Sequence, residues 1–144
     1  MQLVRGAVAG VAGAMAMSVA RSVTTRLGLV GKTPPEAIAS EAVPRLLGLL
    51  PAPTRPAAIE LGHWCYGGLC GALYGALPGG LRRAPGAGPA YGAAVWLFYE
   101  AIVAPGLGLS HARRLRPVER AALLADHLLY GAVVSAATGG SQSP

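Results

Sequence analysis

The sequence predicts an all-α fold, a bundle of four transmembrane helices with a short interfacial helix after the first span. Three observations carry that expectation. Hydrophobic residues make up 53% of the 144 residues and charged residues 12%, about half the charged share of a soluble domain. A water-facing surface needs polar groups to cover it, and this chain has too few; hydrocarbon as the solvent removes the need. The apolar residues also gather into four stretches separated by Pro, Gly and Arg. Finally, glycines in the first two stretches recur every fourth residue, which lays them along one helix face where a second backbone comes close. At this length one membrane domain, 1–144, is expected.

The first stretch, roughly Leu3 to Val23, has Arg5 and Arg21 at its ends, and Gly6, Gly10 and Ala14 step by four. Ser18-Val19-Ala20 would also suit cleavage of a secretory signal. Because the downstream stretches are membrane-like too, the first span is expected to stay. From Arg26 to Pro56 the character changes. Thr33-Pro34-Pro35-Glu36 is a helix-start signature, with Thr as N-cap, Pro at the first helical position and Glu three residues after the cap. The AIASEAVPRLLGLL that follows is too short and too interrupted to span. It suits either a short amphipathic helix on the membrane face, bent or broken at Pro44, or a packed connecting loop. Pro51, Pro53 and Pro56 end it.

The second stretch contains Leu61 to Leu77, LGHWCYGGLCGALYGAL, seventeen residues without a formal charge. Gly67, Gly71 and Gly75 fall four apart, with His63 one step earlier on the same stripe. The span should run from about Ala57 to Leu77 and stop at Pro78-Gly79-Gly80. After Arg82 and Arg83 comes the third span, about Ala90 to Leu109, holding Glu100 and Pro105. A basic loop, Ser110 to Arg116, leads to the fourth span, about Val118 to Thr138, and a polar tail, GGSQSP, expected to fray. Cys65 and Cys70 lie five apart, about 140° around a helix, so they cannot bridge within it and read as small buried side chains.

Four spans place both termini on one side. The loops and span ends after spans one and three hold nine of the twelve basic residues, and the other side holds Arg5, Arg82 and Arg83. The positive-inside rule then puts those two loops in the cytoplasm and both termini outside. The dominance of Arg, with abundant Ala and Gly, fits a GC-rich bacterial genome and hence the inner (plasma) membrane.

Two segments echo each other: His63-Trp64-Cys65-Tyr66-Gly67 and His127-Leu128-Leu129-Tyr130-Gly131 both read H-x-x-Y-G. Gly6-Ala7 and Gly92-Ala93 open spans one and three, and Leu27-Gly28-Leu29 follows span one as Leu107-Gly108-Leu109 follows span three. A duplicated hairpin, residues 1–77 and 84–138, would give pseudo-symmetric halves; chance agreement in an Ala/Gly/Leu-rich chain is the rival explanation. In this order of features the chain resembles the YagU-like group of small, uncharacterised bacterial inner-membrane proteins. The likeness rests on the glycine-rich first span, the turn from Leu27 to Pro35, Tyr91-Gly92-x-x-x-Trp96, Pro105-x-x-Gly108-Leu109 and His127-x-x-Tyr130-Gly131. The resemblance implies a four-helix membrane protein and brings no catalytic chemistry.

Ionisable groups inside a span are costly and mark candidate sites. His63, His127 and Glu100 should lie at similar depth toward the cytoplasmic side, with Tyr66 and Tyr130 as hydrogen-bonding neighbours. Glu60 shares a face with His63, and Asp126 adjoins His127. Such a cluster could relay protons or hold a metal or haem through its imidazoles, or it could simply knit helices together by hydrogen bonds. Gly6, Gly10, Gly67, Gly71, Gly75 and Gly131 are the helix-packing glycines. No serine has a partner base at motif spacing, and no Gly-rich loop follows a strand. The basic residues are not interleaved with aromatic ones as on a nucleic-acid surface. The expected protein is therefore not an enzyme and has no cofactor, no metal and no nucleic-acid partner. Its role is structural or accessory, related to the envelope or to stress. The lipid bilayer is its partner, a homodimer through leftover small-residue faces is compatible with the sequence, and any small-molecule ligand is unknown. Handling of protons, ions or a small solute is the alternative.

Overall fold

The computed structural model describes residues 1–139; the expected polar tail from residue 140 onward lies outside the described residues. Among the described residues every regular element is helical. Four long helices dominate: α1 (Gln2–Arg26), α2 (Arg55–Ala76), α3 (Ala87–Phe98) and α4 (Pro117–Gly139). α1 and α4 are long and apolar enough to cross a membrane by length and composition. α3 is not regular to its end. It passes through a π-helical turn, Tyr99–Val103, into a last helical turn, Ala104–Gly106.

The closest packing lies between α1 and α2, where small side chains let the backbones touch. Gly6 meets Gly71 and Gly75, Gly10 meets Gly67 and Gly71, and Ala14 meets Gly67. A Cβ on Gly71 would lie 2.6 Å from the Gly10 Cα, closer than atoms approach, so only glycine fits. α3 and α4 approach in the same way, with Gly88 against Gly131 and Ser135, and Gly92 against the His127 carbonyl and Gly131. α1 also packs along α4, whereas α2 and α3 meet chiefly through Tyr91. Its hydroxyl donates to the Cys70 carbonyl at 2.6 Å, and its ring stands edge-on to Tyr74 at 5.0 Å. The unequal contacts leave a gap between α2 and the far end of α3.

The turns after α1 and α3 match. Gly28 (φ 69°) and Gly108 (φ 65°) both take the left-handed conformation that lets a chain leave a helix. In both, the next residue donates back five positions, Leu29 to Thr24 and Leu109 to Ala104, at 2.9 Å. The two loops interlock. Glu119 accepts from the backbone N–H groups of Gly31 (3.2 Å) and Arg116 (2.8 Å), and Glu41 accepts from Lys32 and from the Ser110 backbone, each at 2.8 Å.

Residues 34–50 form the expected interrupted segment. Thr33 and Glu36 make a capping box, with the Thr33 N–H donating to the Glu36 carboxylate at 2.8 Å. A π turn, Ile38–Ala42, follows; Val43 leaves helical geometry and Pro44–Gly48 begins a new helix. A proline ring disfavours helical geometry at the residue before it, which places the break at Val43.

Polarity is distributed inside out. Val8 (66%), Leu69 (60%) and Leu97 (57%) are exposed, while Arg21 (6%) and Asp126 (5%) are buried.

Candidate functional site

The small-residue stripe of α1 continues past Ala14 into polar side chains. Gly10, Ala14 and Ser18 follow one another at four-residue steps, and Arg21 shares their face. Across the seam, Gly67 is followed in the same antiparallel register by His63 and Glu60. Where backbones touch at one end, hydrogen bonds therefore form at the other.

Ser18 is the hub. Its Oγ donates to Glu60 Oε2 at 2.6 Å and accepts from an Arg21 guanidinium N–H at 3.2 Å and from Trp64 Nε1 at 3.3 Å. Arg21 also pairs with Glu60 Oε1 at 2.9 Å. His63 Nδ1 lies 3.5 Å from the same guanidinium nitrogen. The same Nδ1 lies 3.5 Å from the Ser18 hydroxyl and 4.0 Å from Glu60 Oε2. In His127 the Nδ1 sits 2.7 Å from the Leu123 carbonyl, which only accepts, so Nδ1 carries a proton and donates.

His63 and His127 line one cavity of about 440 Å³ in the gap beside α2, together with Arg21, Tyr66, Tyr99 and Asp126. The 34–50 segment roofs it with apolar side chains, including Ile38, Ala39 and Leu47. Its buried lining includes Met17, Arg21, Tyr99, Leu123 and Asp126; its exposed lining, at Val43, Leu46, Leu50, Gly62 and Tyr66, marks the mouth. Asp126 lines this cavity without a hydrogen-bond or ion-pair partner among the described residues.

The structure thus brings together four of the residues singled out from sequence: His63, His127, Tyr66 and Asp126. Glu60 stands behind His63, bonded to Ser18 and Arg21. Tyr130 is turned into the helix core, where its hydroxyl donates to the Gly67 carbonyl at 2.6 Å and joins the two H-x-x-Y-G segments. Glu100 is placed elsewhere. It lines a second cavity of about 220 Å³ with Arg113 and Arg120, 3.8 Å from the Arg120 guanidinium. Its Oε1 is buried without a hydrogen bond, as is the indole Nε1 of Trp96 one turn earlier. The expected grouping of Glu100 with the histidines is not seen: adjacent residues on a helix point about 100° apart, and it is Tyr99 that lines the cavity while Glu100 lines the second one.

Protein-family models, curated proteins and solved structures yield no match to this chain. Among the described residues, no group of three or more His, Cys, Asp or Glu is placed to hold a metal ion. Ser18, Arg21, Trp64 and Tyr99 lie outside the cluster expected from the sequence, where Ser18 reads as a cleavage-site residue and Arg21 as a topology marker. The signal that finds Ser18, and Arg21 beside it, is the four-residue step from Gly6 through Gly10 and Ala14 to Ser18.

Proposed function

We propose that the chain is a four-span protein of the bacterial inner membrane with a structural or accessory role at the envelope, and not an enzyme. The supporting observation is the inverted polarity, with apolar side chains outward on all four long helices and Arg21, Glu119 and Asp126 drawn inward. Lipid favours that distribution and water opposes it. In this reading α2 and the bent α3 span alongside α1 and α4, and the interlocked loops after α1 and α3 face the cytoplasm. Both termini lie outside. The like glycine contacts and like turns of the two halves support a duplicated hairpin, and the same turns support membership of the YagU-like group. Fractionation tests the reading: the protein should stay with membranes after alkaline carbonate washing. Reporters inserted near Lys32 and near Arg83 should report opposite faces. A monomer released to the aqueous phase without detergent would end it.

A second reading, handling of a small solute, is favoured by one observation: His63, His127 and Asp126 line a common cavity. Glu100, in its separate pocket, takes no part. Proton flux into proteoliposomes, compared between the wild type and a His63→Ala/His127→Ala variant, separates proton relay from simple binding. Equal background flux from both would remove the relay.

A further inference from the structure

The cavity beside the two histidines carries more than its shape. We infer that it binds a single-chain amphiphile with an ammonium head, the head on Asp126 and the hydrocarbon along the roof formed by residues 34–50. The inference deepens the small-solute reading and rests on it.

Charge selects the head. Arg21, which lines the same cavity, is already paired with Glu60 at 2.9 Å. That leaves Asp126 as the one acid in the cavity lining, with no ion pair of its own among the described residues. Asp126 as a whole is 5% exposed, its carboxyl lines the cavity, and it makes no side-chain hydrogen bond among the described residues. Leaving such a group without a donor is costly, and a charge-assisted hydrogen bond satisfies it. His127 lines the same cavity beside Asp126, and its Nδ1 donates to the Leu123 carbonyl, which leaves Nε2 as the ring nitrogen available to a ligand. A carboxyl without a hydrogen bond calls for a head with N–H donors and a positive charge, which an ammonium supplies. A carboxylate head would meet Asp126 with like charge, and a hydroxyl would bring one donor and no charge.

Size and access select the tail. About 440 Å³ lies toward the small end of the roughly 300–1,000 Å³ of ligand pockets, room for one chain rather than two. The exposed mouth is built from Val43, Leu46, Leu50, Gly62 and Tyr66. It offers no charged side chain to a hydrophilic visitor, so an amphiphile would enter from the apolar side.

The test uses the full chain in phospholipid nanodiscs and dodecylamine carrying a photoreactive diazirine at its chain end. Crosslinks should concentrate in residues 34–50 and 55–66. Unlabelled dodecylamine should displace the probe at least about ten-fold better than dodecanoate or dodecanol, the scale of one charge-assisted hydrogen bond. Asp126→Asn, which keeps the shape and removes the charge, should erase that preference while the helical circular dichroism stays unchanged. Ala39→Phe, filling the cavity from its roof, should abolish labelling whatever the head. Saturable binding that favours dodecanoate, or that ignores Asp126→Asn, would overturn the ammonium assignment alone. Displacement by an aminophospholipid but not by dodecylamine would overturn the single-chain assignment. Labelling spread evenly over outward residues such as Val8 and Leu69, with no saturation, would remove the inference and the small-solute reading together.

Discussion

In the α1–α2 hairpin the close glycine seam runs into Ser18, Arg21, Glu60 and His63, and every polar group in that stretch finds a partner. In the α3–α4 hairpin a like seam at Gly88, Gly92, Gly131 and Ser135 gives way to a π turn. There the charged pair is reversed and looser. The acid, Glu100, comes from the first helix and the base, Arg120, from the second, 3.8 Å apart and with one Glu100 oxygen unsatisfied. The comparison teaches that glycine contacts fix how near two helices come but not how their polar ends close. Complete hydrogen bonding accompanies a regular helix, and incomplete bonding accompanies a deformed one.

The most severe way to break the comparison is to place a side chain in each seam. In Gly71→Val the new atoms would meet Gly10 backbone at 2.6 and 2.7 Å, and in Gly131→Val they would meet the Gly92 nitrogen at 2.8 Å. Backbone cannot rotate away, so the helices must separate. Each variant should lose about 3 kcal/mol or more, the upper range for overpacking, read as a lowered midpoint of unfolding in detergent. Gly62→Ala, with nothing within 4 Å, should leave the midpoint nearly unchanged. Equal tolerance of all three would show that the seams are not where the backbones meet.

The polar ends should differ where the seams agree. Glu60→Ala strands the buried Arg21 guanidinium; because the Glu60 side chain is 38% exposed, the cost should be about 2 kcal/mol, below that of a fully buried pair. Glu100→Gln removes a carboxylate whose pairing is already incomplete, and should change stability by less than about 1 kcal/mol in either direction. A double-mutant cycle on Arg21 and Glu60 should return a clear coupling energy, and one on Glu100 and Arg120 a small one. Similar couplings would abolish the distinction between the halves.

The features legible in the sequence were local or periodic. Helical class followed from composition and spacing, the capping box at Thr33 from four consecutive residues, and the like turns from two Leu-Gly-Leu triplets. The close approach of Gly6 and Gly10 to Gly67, Gly71 and Gly75 follows the four-residue step. What escaped depended on partners or on phase. Arg21 sits where a span end is expected and so read as a solvent-facing charge; only the register with Glu60 turns it inward. Glu100 is expected with the histidines from similar depth alone, and depth does not say which way a side chain points around the helix; Glu100 lines the second cavity instead. The cavity is less legible still, because it arises from unequal contacts, close between α1 and α4 and sparse between α2 and α3.

The mildest test addresses the turns, where the hairpins are most alike. Gly28 and Gly108 hold φ of 69° and 65°, and neither has an atom within 4 Å of an added Cβ. Space is therefore not at issue, and only the left-handed backbone penalises a side chain. Gly28→Ala and Gly108→Ala should each cost about 1 kcal/mol, and the two costs should match and add in the double variant, since separate sites act independently. Gly48→Ala, also in open space but inside a helix with ordinary φ, should instead be neutral or stabilising. If Gly108→Ala alone proved harmless, the turn after α3 would have a second way to close. The π turn just before it would be the element absorbing the change, and the second hairpin would then be the adjustable half at its turn as well as at its polar end.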